Sequence, residues 1–195
     1  MRQKSRAVIA RDHTGTVTVE DIWVDPPRQG EVMVKMEACG VCHSDLSTAK
    51  GVIPLPPPVV LGHEGAGRIV ALGEGVKGLA VGDRVITSFV SMCGHCRYCT
   101  TGRPQLCDQN SRTAFTLPDG SVRTFDMANQ ALNVLCGCGV MSEYATLHMD
   151  NVVATPHLGY VTRERYEVFY EATIDQALAF AAGAPILVQN PDVLK

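Results

Sequence analysis

The chain has 195 residues, 46% of them hydrophobic and 19% charged, with a formal net charge of -3. That balance supports a buried core and excludes wholesale disorder, and without a basic block it argues against nucleic acid as a partner. No apolar run reaches the about 18 residues that span a bilayer, and the basic opening over residues 1–6 has no signal-like apolar segment behind it, so the chain reads as cytoplasmic and not membrane-bound.

The first third reads as strands. Residues 17–22 (VTVEDI) form a β-rich run, and residues 25–30 (DPPRQG) form a turn. Over residues 31–37 the alternation puts Val32, Val34 and Met36 on one face and Glu31, Lys35 and Glu37 on the other. Residues 54–58 are too rich in proline for a helix or a central strand. Residues 65–73 and 83–87 read as short strands parted by glycine turns, a spacing that suits a barrel or sandwich. From Thr162 the pattern turns helical, with Tyr166, Ile174 and Ala177 on one stripe and Gly183 then Pro185 as a stop.

Eight cysteines in a reducing compartment point to metal ligands before disulfides. Cys93, Cys96 and Cys99 are closely spaced and Cys107 follows. Four thiolates close a tetrahedron around Zn²⁺ with no open position, the structural type of site. Four cysteines also serve iron–sulfur clusters, although zinc suits this lobe better. His95 and Tyr98 lie within the loop and read as surface residues.

The segment Cys39-Gly40-Val41-Cys42-His43 fits the c-type haem attachment pattern, which requires export, and a redox CxxC, which normally sits in a βαβ unit. The better reading joins Cys42 to His63, in Gly62-His63-Glu64. One thiolate and one imidazole from separate loops are two of the three protein ligands of an open catalytic zinc.

The order Cys39–Asp45, Gly62–Gly67, Gly82–Val85, then the four-cysteine lobe resembles the N-terminal, GroES-like catalytic domain of the zinc-dependent medium-chain alcohol dehydrogenases, over residues 5–153. The resemblance implies a mainly β, α+β fold: a GroES-like barrel over residues 1–152 with a zinc-binding lobe over 91–110; the helical spacing adds a tail over 153–195, and no Rossmann domain is read in the sequence. It implies that Cys42 and His63 bind a catalytic zinc, with Glu64 as neighbour and occasional ligand. Ser44 starts a proton relay from the substrate hydroxyl, Asp45 orients His63, and His43 lies near the pyrophosphate of NAD(P). Ser47 stands where some members carry a relay histidine. Cys93, Cys96, Cys99 and Cys107 hold the structural zinc. The implied reaction is oxidation of a small alcohol to an aldehyde or ketone, and a homo-oligomer is compatible with it. The family's third zinc ligand and its nucleotide-binding domain follow this domain and have no counterpart here, so the isolated chain is expected to be inactive. A non-catalytic zinc-binding module and a D-2-hydroxyacid dehydrogenase fragment are the alternatives.

Two further strings are weighed. Residues 73–78 spell GxGxxG, but they fall where the family has a turn between barrel strands. Cys136 and Cys138 come too early for the third ligand and read as local thiols. The segment Asn151–Tyr160 resembles the closing motif of D-isomer-specific 2-hydroxyacid dehydrogenases, in which the histidine after Thr-Pro, here His157, is the acid/base. That family's Arg and Glu partners have no counterpart upstream. The two resemblances meet at residues 151–153, which suggests a junction there.

Overall fold

The structure is a computed structural model that describes residues 1–110, 113–153, 175, 178, 179 and 182. Residues through 153 fall in one compact unit, Met1–Pro156, and His157–Lys195 form a second. The first unit is built on strands β1 (Gln3–Ala10), β2 (Thr18–Val24), β3 (Glu31–Cys39), β4 (Val59–Val60), β5 (Gly65–Leu72), β6 (Arg84–Thr87), β7 (Thr124–Asp126), β8 (Asn133–Val134), β9 (Tyr144–His148) and β10 (Val152–Val153). One five-stranded sheet runs β7-β2-β1-β4-β8 and the other β10-β6-β5-β3-β9. Pairing is antiparallel except between β4 and β8. A bridge from Ala7 to Ser142 ties the two sheets. No helix among the described residues is long and apolar enough to cross a membrane.

β3 faces two cores at once. Val32 and Val34 pack with Ile69, Val85 and Leu147, while Met33 packs with Ala7, Ile9, Ile22 and Val60. Burial on both faces follows from its place between these two cores, one of them built with residues of the other sheet, and it corrects the sequence pattern at one position. Glu31 is buried, because Arg123 meets it with Nε at 2.9 Å and Nη2 at 2.5 Å, and the Arg28 N–H donates to it at 2.9 Å. A paired charge tolerates burial that a lone carboxylate does not.

The string at residues 73–78 lies in the turn between β5 and β6. A Cβ at Gly73 would fall 1.6 Å from the Arg28 carbonyl oxygen, so this glycine serves a close backbone approach, not a phosphate. Residues 151–153 belong to the barrel. Val152 pairs with Thr87 of β6, and buried Asn151 holds the base of the cysteine lobe: its Nδ2 donates to Ser88 O at 2.9 Å and its Oδ1 accepts from Ser91 Oγ at 2.9 Å. Met92 N also donates to Asp150 O at 3.0 Å. Of the expected tail helix, Asp175, Leu178 and Ala179 are helical; the rest of that reading, and His157, lie outside the described residues.

Candidate metal centres

The cysteine lobe projects between β6 and β7. It carries a short helix, Arg97–Thr100, and a 3₁₀ turn, Pro104–Leu106. Gly94 takes a left-handed φ of 75°, which lets the chain double back after Cys93. Cys93, Cys96, Cys99 and Cys107 then gather with all four sulfurs within 4.8 Å of one another. Cys93 and Cys99 are 4.0 Å apart, as are Cys96 and Cys107. These separations are far too long for disulfides and close to the about 3.8 Å edge of a tetrahedron with Zn–S bonds of about 2.3 Å.

Four thiols so close cannot all ionise without a cation among them. Hydrogen bonds from the Asp108 and Cys99 N–H groups lower Cys96 to about 6, whereas desolvation, aided by the neighbouring thiols, pushes Cys99 up to about 12. A dication of soft-ligand preference reconciles the four sulfurs, and the donor set fits Zn²⁺ with no position left open. His95 is exposed and Tyr98 half-buried, and His95 is not among the grouped donors.

The second centre lies where β3 ends and β5 begins. Helix α1 (His43–Ala49) starts directly after Cys42. Buried Asp45 fixes both loops that form the centre. One carboxylate oxygen accepts from Cys42 N at 3.0 Å, and the other from Gly62 N at 2.8 Å. A single carboxylate thus sets the spacing between the thiolate loop and the imidazole loop. Gly62 has φ of 91°, and a Cβ there would meet Met141 N at 2.3 Å, so the approach to His63 is open only to glycine.

The donor atoms of Cys42, His63 and Glu64 lie within 4.8 Å of one another. Ser44 Oγ sits beside them, 3.0 Å from Cys42 Sγ and 3.4 Å from His63 Nε2. His63 Nε2 is also 3.9 Å from Glu64 Oε1. The other ring nitrogen, Nδ1, is buried without a hydrogen-bond partner, 3.5 Å from Asp45 Oδ1. The ring therefore turns Nε2 toward the thiolate and carboxylate and Nδ1 toward Asp45, the arrangement of a metal-bound imidazole backed by a carboxylate. Ser44 and His63 lower the Cys42 pKa, and Asp45 raises that of His63 against its burial. Thiolate, imidazole and carboxylate suit Zn²⁺, and a zinc with three protein ligands keeps a fourth position open.

Other side chains complete the surroundings. Phe89 stands edge-on to the His63 ring, with centroids 6.0 Å apart and an interplanar angle of 81°, and is itself exposed. Thr87 Oγ1 donates to His63 O at 3.3 Å and accepts from Gly65 N at 2.8 Å. His43 is exposed, with Nδ1 3.2 Å from Ser47 Oγ one turn along the helix. Cys136, at φ 56°, packs beneath the centre near Leu135 and Met141, and Cys138 is fully buried; neither joins the three donors. Phe89 and Thr87 are not legible as site residues in the sequence, since the β5–β6 pairing, with Ala66 opposite Ile86, brings the end of β6 to His63.

Residues 28–157 match the family described as the alcohol dehydrogenase GroES-like domain. The NDMA-dependent alcohol dehydrogenase of Amycolatopsis methanolica is 40% identical over 151 residues, which cover 77% of this chain and 40% of that protein. An alcohol dehydrogenase zinc-binding domain protein from Burkholderia ambifaria superposes with a TM-score of 0.75 at 32% identity, over 83% of this chain and 44% of the other. Benzyl alcohol dehydrogenase of Acinetobacter calcoaceticus superposes at 0.70 with 29% identity, over 82% of this chain and 42% of the other. The chain therefore spans about two fifths of the length of the curated relative it matches.

Proposed function

We propose, for a chain that belongs to the alcohol dehydrogenase GroES-like domain family, that it is the zinc-holding part of a nicotinamide-linked alcohol dehydrogenase. The observation that carries this reading is the gathering of Cys42, His63 and Glu64 around one point, with the Ser44 hydroxyl beside them. Cys42, His63 and Glu64 would hold a zinc that supplies Lewis acidity toward an alcohol oxygen, and NAD(P)⁺ would supply the acceptor for the hydride of the alcohol carbon, the hydroxyl giving up its proton. Ser44 accepts that proton at Oγ and passes its own toward the surface. Asp45 keeps the His63 ring turned, and Phe89 gives the substrate an apolar wall. His43, exposed at the start of α1, would serve the pyrophosphate of the cofactor, and Ser47 holds its ring by the bond to Nδ1. Cys93, Cys96, Cys99 and Cys107 keep the second zinc as a structural tie for the lobe. A reducing, cytoplasmic setting suits eight free thiols.

Hydride transfer also needs a nucleotide-binding unit beside this one, because fixed geometry between nicotinamide and substrate supplies much of the rate. The 195-residue chain by itself is expected to form no NAD(P)H from short alcohols. Metal analysis of the purified chain tests the reading: one zinc at each centre, with a mild chelator removing the Cys42–His63 zinc first and Cys42→Ala lacking it from the start. A single zinc that Cys42→Ala retains would favour a non-catalytic zinc-binding module. Zinc-dependent turnover by the chain alone would refute the need for a second unit.

A further inference from the structure

The geometry points to Gly40 as a positioning residue, whose missing side chain leaves the slot in which Glu64 turns toward the zinc ligands. This inference rests on the proposed ligand set Cys42, His63 and Glu64. Gly40 lies between the two cysteines of the first loop, and its N–H donates to Glu64 O at 2.8 Å. That bond fixes the Glu64 backbone against residue 40. The Glu64 side chain then folds over the same residue: a Cβ at Gly40 would lie 2.5 Å from Glu64 Oε2, 3.3 Å from its Cβ and 3.6 Å from its Cδ. Meanwhile Oε1 of the same carboxylate is the oxygen that faces His63 Nε2, at 3.9 Å.

A methyl group at residue 40 thus meets both the carboxylate and the base of the Glu64 side chain. The Glu64 Cβ can yield the few tenths of an ångström that a 3.3 Å contact asks, but Oε2 at 2.5 Å cannot stay where it is. Relief requires the Glu64 side-chain torsions to change, and its sp³ torsions settle in staggered wells, with intermediate values costing about 0.5–1.5 kcal/mol. Such a change carries the carboxylate away from the thiolate and imidazole. Gly40 does not use the left-handed region, unlike Gly62 and Gly94, so alanine fits its backbone. The substitution therefore tests the slot without straining the loop.

The experiment is zinc competition with a chelator on the whole chain, comparing parent, Gly40→Ala, Glu64→Ala and the double variant, with the lobe zinc as an internal measure of folding. Gly40→Ala is expected to raise the Kd of the exchangeable zinc at least about tenfold, the scale of lost support around a metal ligand. Glu64→Ala should match it, and the double variant should be no worse than either. Cobalt(II) in the exchangeable centre should show the same change in d–d absorption for both single variants. If Glu64→Ala weakens zinc and Gly40→Ala does not, the slot is refuted and the ligand set stands. If Glu64→Ala leaves zinc affinity unchanged, the ligand set falls and the slot with it. Thermal melts give a separate measure: the destabilisation by Gly40→Ala should shrink in the Glu64→Ala background, where the carboxylate is gone and only the contact with the residue 64 Cβ remains. A cost undiminished there, or a Gly40→Ala fold that Glu64→Ala does not recover, would overturn the inference.

Discussion

Replacing Arg123 by Met should be among the most damaging single changes to this domain, although Arg123 is distant from both metal centres in the sequence. Its side chain is 1% exposed and that of Glu31 is 4% exposed. The guanidinium meets both Glu31 oxygens, reaches Asp119 Oδ2 at 2.7 Å, donates to Val122 O at 3.0 Å and bonds Ser121 Oγ. Arg123 immediately precedes β7 of the first sheet, and Glu31 opens β3 of the second. The pair is therefore a polar tie between the sheets at one end of the barrel. Methionine replaces the aliphatic stem but leaves the Glu31 carboxylate buried, with the Arg28 N–H as its remaining hydrogen bond shown here. Breaking one partner of a buried pair costs about 3–5 kcal/mol, or about 6–20 °C in Tm for a domain of this size. Glu31→Gln should cost less, about 1–3 kcal/mol, because Arg123 keeps the Asp119 carboxylate and glutamine still accepts hydrogen bonds. The double variant Arg123→Met/Glu31→Leu should recover most of the loss, since no buried charge is left unpaired. Urea melts on zinc-saturated protein measure all three. An Arg123→Met variant within about 1 kcal/mol of the parent, or a double variant that loses the sum of the singles, would refute the reasoning.

Cys96→Ser should release the lobe zinc and raise hydrogen exchange across residues 91–110, because metal binding there is coupled to local folding; full zinc retention would contradict the four-sulfur centre. Asp119→Asn should flatten the acid limb of stability. Burial opposes ionisation of Asp119, but hydrogen bonds from Ser121 and the Arg123 guanidinium outweigh it and hold the carboxyl at about 2. An unfolded Asp titrates near about 3.9, so its contribution is full above that pH and fades as pH falls toward about 2. The parent's advantage over the variant should shrink across that window and stay below about 1 kcal/mol, since Asp119 is 48% exposed and screened. Paired denaturation curves at stepped pH check it, and an advantage that grows with acid would reverse the sign.

The sequence by itself determined the parts whose chemistry is local. The cysteine lobe is legible because the four sulfurs need only short spacings and Gly94 to come together, and little of the rest of the barrel takes part in that clustering. Cys42, Ser44 and Asp45 are legible as a group because they share the start of one short helix. The strand pattern at residues 31–37 gives the element but misplaces Glu31, since alternation records hydrophobicity and cannot see a partner that arrives 92 positions later. Only the tertiary structure decided that partner, and likewise the approach of Thr87 and Phe89 to His63, the clasp of Asn151 on the lobe, and the seat of Glu64 over Gly40. Each depends on segments distant in sequence that meet through sheet register. A register one residue removed would turn every such side chain to the other face, and no property of the individual residues specifies which register the packed sheets adopt.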